Sequence, residues 1–587
     1  MQTLTGPVRA EPMTSEATGL PKWWPELVTR LSSPVADAVA VALFAFAGLA
    51  AFFYVHTYSV NMIYDDQWTD IDLLKRAHDG TLTWSYLWAQ HNEHRMLFPK
   101  LVVLALGATT HFNLQAEDYL CVVALCGATA LVILTHRRRT PGLPMIVYVP
   151  VAFVLLSPVV IAEALLGFNI AWFMALLGFG VVLYLLDAEV VSRVAFVAAV
   201  VVAVVASYSC LQGLLIWPSL LVLLWLRRRS LAALGIWLGA GVVTTVVYFI
   251  GFDFALARAG SGAAPQTLEA TLRFFVVETG NVFGSEAGYG VEKFFGGVVL
   301  GLAVVTLVVG LRRGVADGAP VGVALITFGL AFLLSATVGR SQLGLGDAIR
   351  YAPFVLLILI GTYLILLSWC ERVLDPPEQG AVVDLAWVSP STRLWTPLVL
   401  FACALALSAG QAVESNRVGP ADSGGWHSEQ VTIANVTANI AKLPDYVVQD
   451  NLGGYAPSYM RAMTAYARQA KLSLFATSLA TQQERAGLQP QLEATVIFPH
   501  NEAHLKGTFY MRAGVVARDV TDVEFVLYGQ GLDDASVASG KWTPTGWIAR
   551  WNTHNVGDGP YYLAVEASTA SGLTYTSAYI SVDVGNH

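Results

Sequence analysis

The sequence predicts a mainly α-helical, polytopic membrane bundle of about eleven spans, followed by an all-β, immunoglobulin-like sandwich at the C-terminal end. Three observations carry this. Of 587 residues, 55% are hydrophobic and 13% charged, against about 25% charged in an ordinary soluble domain. Apolar stretches of about 20 residues, the length that crosses a bilayer as a helix, recur as far as residue 413. Past Pro490 the pattern changes to short alternating runs broken by Gly, Asp, Asn and Pro.

Residues 1–34 are polar and read as a cytoplasmic N-terminal segment without a cleavable signal, since the first apolar run is too long for a signal h-region. Residues 35–413 form the transmembrane unit. Its spans are expected at 36–58, 116–135, 144–162, 168–186, 192–208, 212–226, 231–252, 293–311, 319–338, 351–370 and 394–413. The stretch 96–111 is apolar but short, and contains Pro99 and Lys100. If it lies flat as an interfacial helix, the arginines at 137–139, 193, 227–229, 312–313, 372 and 393 all fall on one side, cytoplasmic by the positive-inside rule. The N-terminus is then inside and the C-terminus outside, and the outer side holds the large loops 59–115, 253–292 and 339–350. Ionisable residues are almost absent at mid-depth of these spans, which argues against an ion-coupled transporter. All five cysteines lie within or beside apolar segments and read as small core residues.

Residues 414–489 are polar, with helical composition at 458–470 and 472–485, and read as an extracytoplasmic helical linker. Residues 490–587 read as the sandwich, with strands at 492–498, 507–513, 523–528, 547–552, 561–567 and 575–584 and no cysteine. Trp547 and Trp551 share one strand face and suit a core better than a sugar-binding platform.

The charges expected on the outer side fall into clusters. Asp65 and Asp66 follow the first span, within Tyr64-Asp65-Asp66-Gln67-Trp68. Adjacent carboxylates at a membrane surface supply a general base; the alternative is a solvated loop in which Asp66 caps segment 69–77. His91, Glu93 and His94, with Arg95 and Lys100, end the same loop. The two histidines would share a helix face with Glu93 near them, but zinc needs three or four ligands and no HExxH pattern is present, so no metal site is assigned. Arg95 and Lys100 suit a phosphate group or ordinary anionic lipid. Arg340 and Arg350 flank a short outer loop with Asp347 and Tyr351; a phosphate clamp and a structural salt bridge to Asp347 both remain open. Glu163 and Gln212 sit at outer span ends and are candidate cavity residues. Arg273, Glu278, Asn281, Glu286, Glu292 and Lys293 lie in the loop 253–292, which could cover a cleft.

The order of Asp65-Asp66 after span one, the long first loop, HNEHRMLFPK at 91–100, Glu163 before Gly167-Phe168, and Gly339-Arg340 before Arg350-Tyr351 resembles the GT-C superfamily of polytopic glycosyltransferases over residues 36–413. The resemblance implies an inverting glycosyltransferase in a bacterial cytoplasmic membrane. Its donor would be a sugar on a polyprenyl phosphate, and its acceptor a cell-envelope glycan or glycolipid. Asp65 and Asp66 would be the catalytic residues; Arg95, Lys100, Arg340 and Arg350 would bind the donor phosphate. His91, Glu93, His94, Glu163, Gln212 and Tyr351 would line the substrate site. A divalent cation, Mg or Mn, is compatible, membrane lipids are partners, and no nucleic acid is implied. The absence of a cytoplasmic domain, a glycine-rich phosphate loop and a Walker lysine supports a lipid-linked donor over a nucleotide sugar. The rival class is a non-catalytic glycan- or lipid-binding membrane protein or a lipid-sugar flippase. The sandwich would then dock a partner, and the acids would be dispensable.

Overall fold

The computed structural model describes residues 30–586 except 255–267, 284–288, 314–317, 341–347, 375–389, several positions within 444–454, 487–492, 517–519, 544–545 and 571–573. Among the described residues, eight helices are long and apolar enough to cross a membrane: Pro34–Tyr58, Leu114–Arg139, Gly167–Leu186, Leu231–Phe249, Gly290–Gly310, Ala319–Gly339, Ala352–Arg372 and Trp395–Lys442. The protein is a multi-pass membrane protein. Local sequence explains where these helices start. Ser33 caps the first, its Oγ accepting from the Ala36 amide at 3.2 Å, and Pro34 takes the first turn, where no amide donor is needed.

The expected count of eleven is not reached by length. The stretch 144–162 is a broken pair, Met145–Leu155 and Pro158–Leu165, bent by 46°. Proline at 158 cannot donate to the preceding turn, so the helix restarts there. The stretches 192–208 and 212–226 fold as Arg193–Ser207 and Leu211–Leu226, both shorter than a full span. Leu97–Thr110 is another short apolar helix of 14 residues.

Ala352–Arg372 runs through the centre, buried at every residue from 352 to 370, whereas Pro34–Tyr58 and Leu231–Phe249 bury about a quarter of their apolar stretch. The central helix packs closely on Ala319–Arg340 because small residues meet: a Cβ on Gly361 would lie 2.5 Å from the Gly322 carbonyl oxygen. At the arginine-rich end of the bundle, Asp187 is fully buried among Arg138, Arg139 and Arg227.

The last apolar segment does not stop at 413. It continues as one helix, Pro390–Asn439, of 50 residues and about 75 Å. Its polar half and the helix Pro457–Ala470 pack on the first loop. Trp68, Ile71 and Leu74 share one core with Ile433, Met460, Met463 and Leu474. The segment read as a linker is therefore part of a small apolar core over the loop end of the bundle.

The C-terminal region holds ten strands in two sheets rather than six runs. Glu493–Phe498, Thr508–Val516, Gly546–Asn552 and Lys541–Thr543 form one sheet in that order. The other has the order Ala503–Leu505, Ile580–Val584, Gly559–Thr569, Val520–Gly529, Leu532–Ser539, with Thr574–Thr576 paired to Gly559–Thr569. Ala503–Leu505 and Ile580–Val584 pair in parallel. Met511, Ala513 and Trp551 of the first sheet meet Phe525, Leu563 and Val565 of the second in one core. Trp551 is fully buried there, and Trp547 packs partly buried against the same core.

Candidate functional site at the loop end of the bundle

The site begins with a tight turn. After Tyr58 the chain leaves the first helix through extended residues, and Asp65–Gln67 forms a single 3-10 turn. Gln67 closes it: its Oε1 accepts from the Tyr64 amide at 3.2 Å and its Nε2 donates to Glu117 Oε2 at 3.4 Å. Asp65 takes φ +44°, an uncommon conformation for a residue with a Cβ, and one that clusters at functional sites. Trp68–His78 follows as an amphipathic helix whose apolar side enters the loop core.

The two aspartates meet different surroundings. Asp66 has both oxygens engaged. Tyr455 Oη donates to Oδ1 at 3.0 Å, and His91 Nε2 lies 3.1 Å from Oδ2. Burial pushes the Asp66 carboxyl up, but the contacts with His91 and Tyr455 outweigh it and hold the group below the ordinary range. Asp65 has no such partners among the described residues, and its pKa is raised, chiefly by burial and then by the charge of Asp66. The charges of His91 and Arg350 offset part of this. Arg350 is thus near enough to act on Asp65, across 285 positions of sequence (350 minus 65).

The second loop cluster folds as a small hairpin, not a helix. Gln90–His91 pairs with His94–Arg95, and Asn92 turns the chain at φ +47°. The pairing puts His91 directly opposite His94, yet their rings serve different neighbours. His91 packs on Phe168, ring centroids 5.1 Å apart, and reaches Asp66. His94 Nδ1 accepts from the Leu211 amide at 3.2 Å, which seats the segment carrying Gln212 beside the hairpin, and its Nε2 lies 3.8 Å from Glu93 Oε1. Among the described residues no group of three or more metal-ligating side chains converges.

Arg95 and Lys100 are committed to main chain. Arg95 is 3% exposed and donates to the carbonyls of Trp88, Tyr248 and Ile250 at 2.7–3.1 Å. Lys100 Nζ donates to the carbonyls of Tyr86, Leu87 and Ala89 at 2.9–3.3 Å, closing the C-terminal end of the short helix Trp84–Trp88. Burial lowers the Lys100 amine to about 8. These contacts occupy three of the five Arg95 donors and all three of Lys100's, so both side chains brace the loop.

Glu163 accepts from Asn169 Nδ2 through its side chain at 3.2 Å and its carbonyl at 3.0 Å, pinning the turn after the bent helix pair. Tyr351 is buried between Trp172 and Phe332, and the Arg350 guanidinium lies over its ring at 5.3 Å. The Arg340 side chain, Asp347 and Glu286 lie outside the described residues.

Several acids under this site escape a reading based on exposed clusters. Asp70, Glu117 and Asp118 are 5%, 0% and 2% exposed. Asp70 lines a narrow cavity with Glu117, His91, Lys100 and Phe168. Burial, then the charge of Glu117, holds the Asp70 carboxyl well above the ordinary range. Gly167 is required beside Glu117, since a Cβ there would sit 2.5 Å from Oε2. Two signals were present in the sequence. Asp70 stands four residues after Asp66, hence on the same helix face, and Glu117-Asp118 interrupts the start of an apolar run. Tyr455 had no signal in the sequence.

No family model matches the chain, and neither does any curated protein. Among solved structures it is similar to the endo-beta-1,4-mannanase from Thermotoga petrophila, at 17% identity and TM-score 0.16, over 23% of this chain and 25% of that one. It is similar to an engineered protein at 20% identity and TM-score 0.15, over 22% and 27%. It is also similar to ArnT from Cupriavidus metallidurans bound to undecaprenyl phosphate, at 13% identity and TM-score 0.41, over 73% and 87%. The chain spans about a quarter of the length of the first two.

Proposed function

We propose that this membrane protein is an inverting glycosyltransferase of the GT-C type. It would act at the outer face of a bacterial cytoplasmic membrane and use a sugar carried on a polyprenyl phosphate. The observation that carries the reading is the divergence of two adjacent carboxylates. Asp66 is held ionised by His91 and Tyr455, while Asp65 is pushed up by burial and by Asp66. Environments that push neighbouring acids apart mark acid–base chemistry.

In the proposed reaction Asp65 takes the proton from an acceptor hydroxyl. The hydroxyl oxygen attacks the anomeric carbon from the face opposite the phosphate. The bond from that carbon to the phosphate oxygen breaks, and its electron pair leaves with the lipid phosphate. Arg350, whose charge reaches Asp65, would stabilise that developing charge, with Arg340 as its proposed companion. Asp66 and His91 orient the loop, and Glu163, Glu93, His94, Gln212 and Tyr351 shape the surrounding walls.

Purified protein would be given radiolabelled polyprenyl-phosphate sugars together with envelope glycolipid extract. Asp65→Asn is expected to reduce transfer by about 10²–10⁴-fold, the usual contribution of a positioned base. Full transfer by a folded Asp65→Asn protein would remove the mechanism.

A further inference from the structure

The outer face of the four-stranded sheet carries a set of side chains that the bundle site does not use. Strand register sets Phe498 beside Arg512, Arg512 beside Ile548 and Ile548 beside Lys541 in one row across the sheet. The next row sets Tyr510 beside Arg550. The alternate residues Met511, Ala513, Ala549 and Trp551 are buried in the core, so these rows face away from it. Tyr510 is 65% and Phe498 43% exposed, and Arg512, Arg550 and Lys541 are exposed. Among the described residues, none of the three cations makes an ion pair or a side-chain hydrogen bond.

Stability does not account for this arrangement. Arg512 and Arg550 stand as diagonal neighbours on adjacent strands, where like charges gain nothing from each other. A basic residue does guard an open sheet edge, which explains Lys541 on the edge strand. It does not explain Arg512 and Arg550, which stand on the two central strands. Nor does average composition, since the chain carries a net charge of −8.

We propose that this face binds an acidic polysaccharide. A sugar ring offers an apolar face that stacks on an exposed aromatic side chain, and its carboxylate or phosphate groups accept two parallel hydrogen bonds from an arginine fork. A linear acidic glycan repeats these two features along its length, as the rows do across the sheet. Each ring has an arginine as its cross-strand neighbour, Phe498 beside Arg512 and Tyr510 beside Arg550. The surface is separate from the Asp65 site, and the inference stands whether or not that site transfers sugar.

The test uses full-length protein in nanodiscs of phosphatidylcholine. It is titrated with a linear oligouronate, with a neutral glucan of matched length, and with phosphatidylcholine vesicles with and without phosphatidylglycerol. The oligouronate should bind, more weakly as salt is raised. The Arg512→Gln/Arg550→Gln variant should lose about 100-fold in affinity, as expected for two charged contacts. Tyr510→Ala should lose about tenfold. Both variants should keep the wild-type melting temperature, and Arg512→Gln alone serves if the double variant does not. Absent oligouronate binding, equal binding of the neutral glucan, or unchanged affinity in the folded variants would each overturn the proposal. Phosphatidylglycerol-dependent vesicle binding without oligouronate binding would overturn it too, by assigning the face to the membrane.

Discussion

The helix Gly167–Leu186 joins two places where carboxylates are buried. At its far end Asp187, fully buried, meets three arginines, with Nε of Arg227 at 2.6 Å and of Arg139 at 3.1 Å. At its near end, where Phe168 packs on His91, Asp65, Asp66, Asp70 and Glu117 gather around His91, Lys100 and the charge of Arg350. The far end is over-supplied with cations. The near end has more acids than cations, a strained residue, and a cavity. A buried charge that is fully matched holds elements together; a group of acids left partly unmatched must keep a proton or await a ligand.

Four outcomes would sharpen or break that contrast. The largest concerns Asp65, where replacement by Asn should cost transfer activity as described above while leaving the fold intact. Next, Asp187→Ala leaves three arginines facing a void, and loss of one partner of a buried pair costs about 3–5 kcal/mol. The detergent-solubilised variant should aggregate at a lower temperature than the wild type, and its activity should fall only as far as its folded fraction does. Equal stability would mean that the far end is not the stronger anchor.

A smaller effect is expected at Tyr455, which donates to Asp66 Oδ1. Tyr455→Phe removes one hydrogen bond to a charged group, so activity should drop about tenfold. The sign with pH follows from Asp66. Its pKa is depressed in the folded protein, so its ionised form is present above that pKa and lost as pH falls through it. Without the tyrosine hydroxyl the Asp66 pKa rises, so the Asp66 carboxylate signal in infrared difference spectra should be lost at higher pH than in the wild type. An unshifted signal would reduce Tyr455 to a packing residue.

The smallest effect is on stability. Because the Asp65 pKa is raised above its ordinary value of 3.8, the folded protein holds that proton more tightly than the unfolded chain. Stability contributed there declines as pH rises from about 3.8 through the folded pKa. Asn removes the charge and tolerates positive φ better. Asp65→Asn should therefore melt about 1–3 °C higher at neutral pH, with the difference shrinking in acid. A lower melting temperature would mean that Asp65 supports the turn rather than strains it.

The sequence by itself determined the membrane class, the position of most spans and the change to strands after Pro490, because hydropathy and side-chain period are local properties. It also singled out Asp65, Asp66, His91 and Arg350, whose charges stand out against apolar flanks. Local pattern failed where an element's fate depends on what it packs against. Proline broke one span, two others are too short by length, and the last span runs on into a polar helix because that helix has its own core with Trp68 and Ile71. Only the tertiary structure decided which charges act together. Arg95 and Lys100 look identical to free cations in sequence, and three carbonyls each absorb them in space. Tyr455 lies 389 positions from the aspartate it holds. Hydrogen bonds over that separation are set by chain topology, which a linear reading of residue types does not contain.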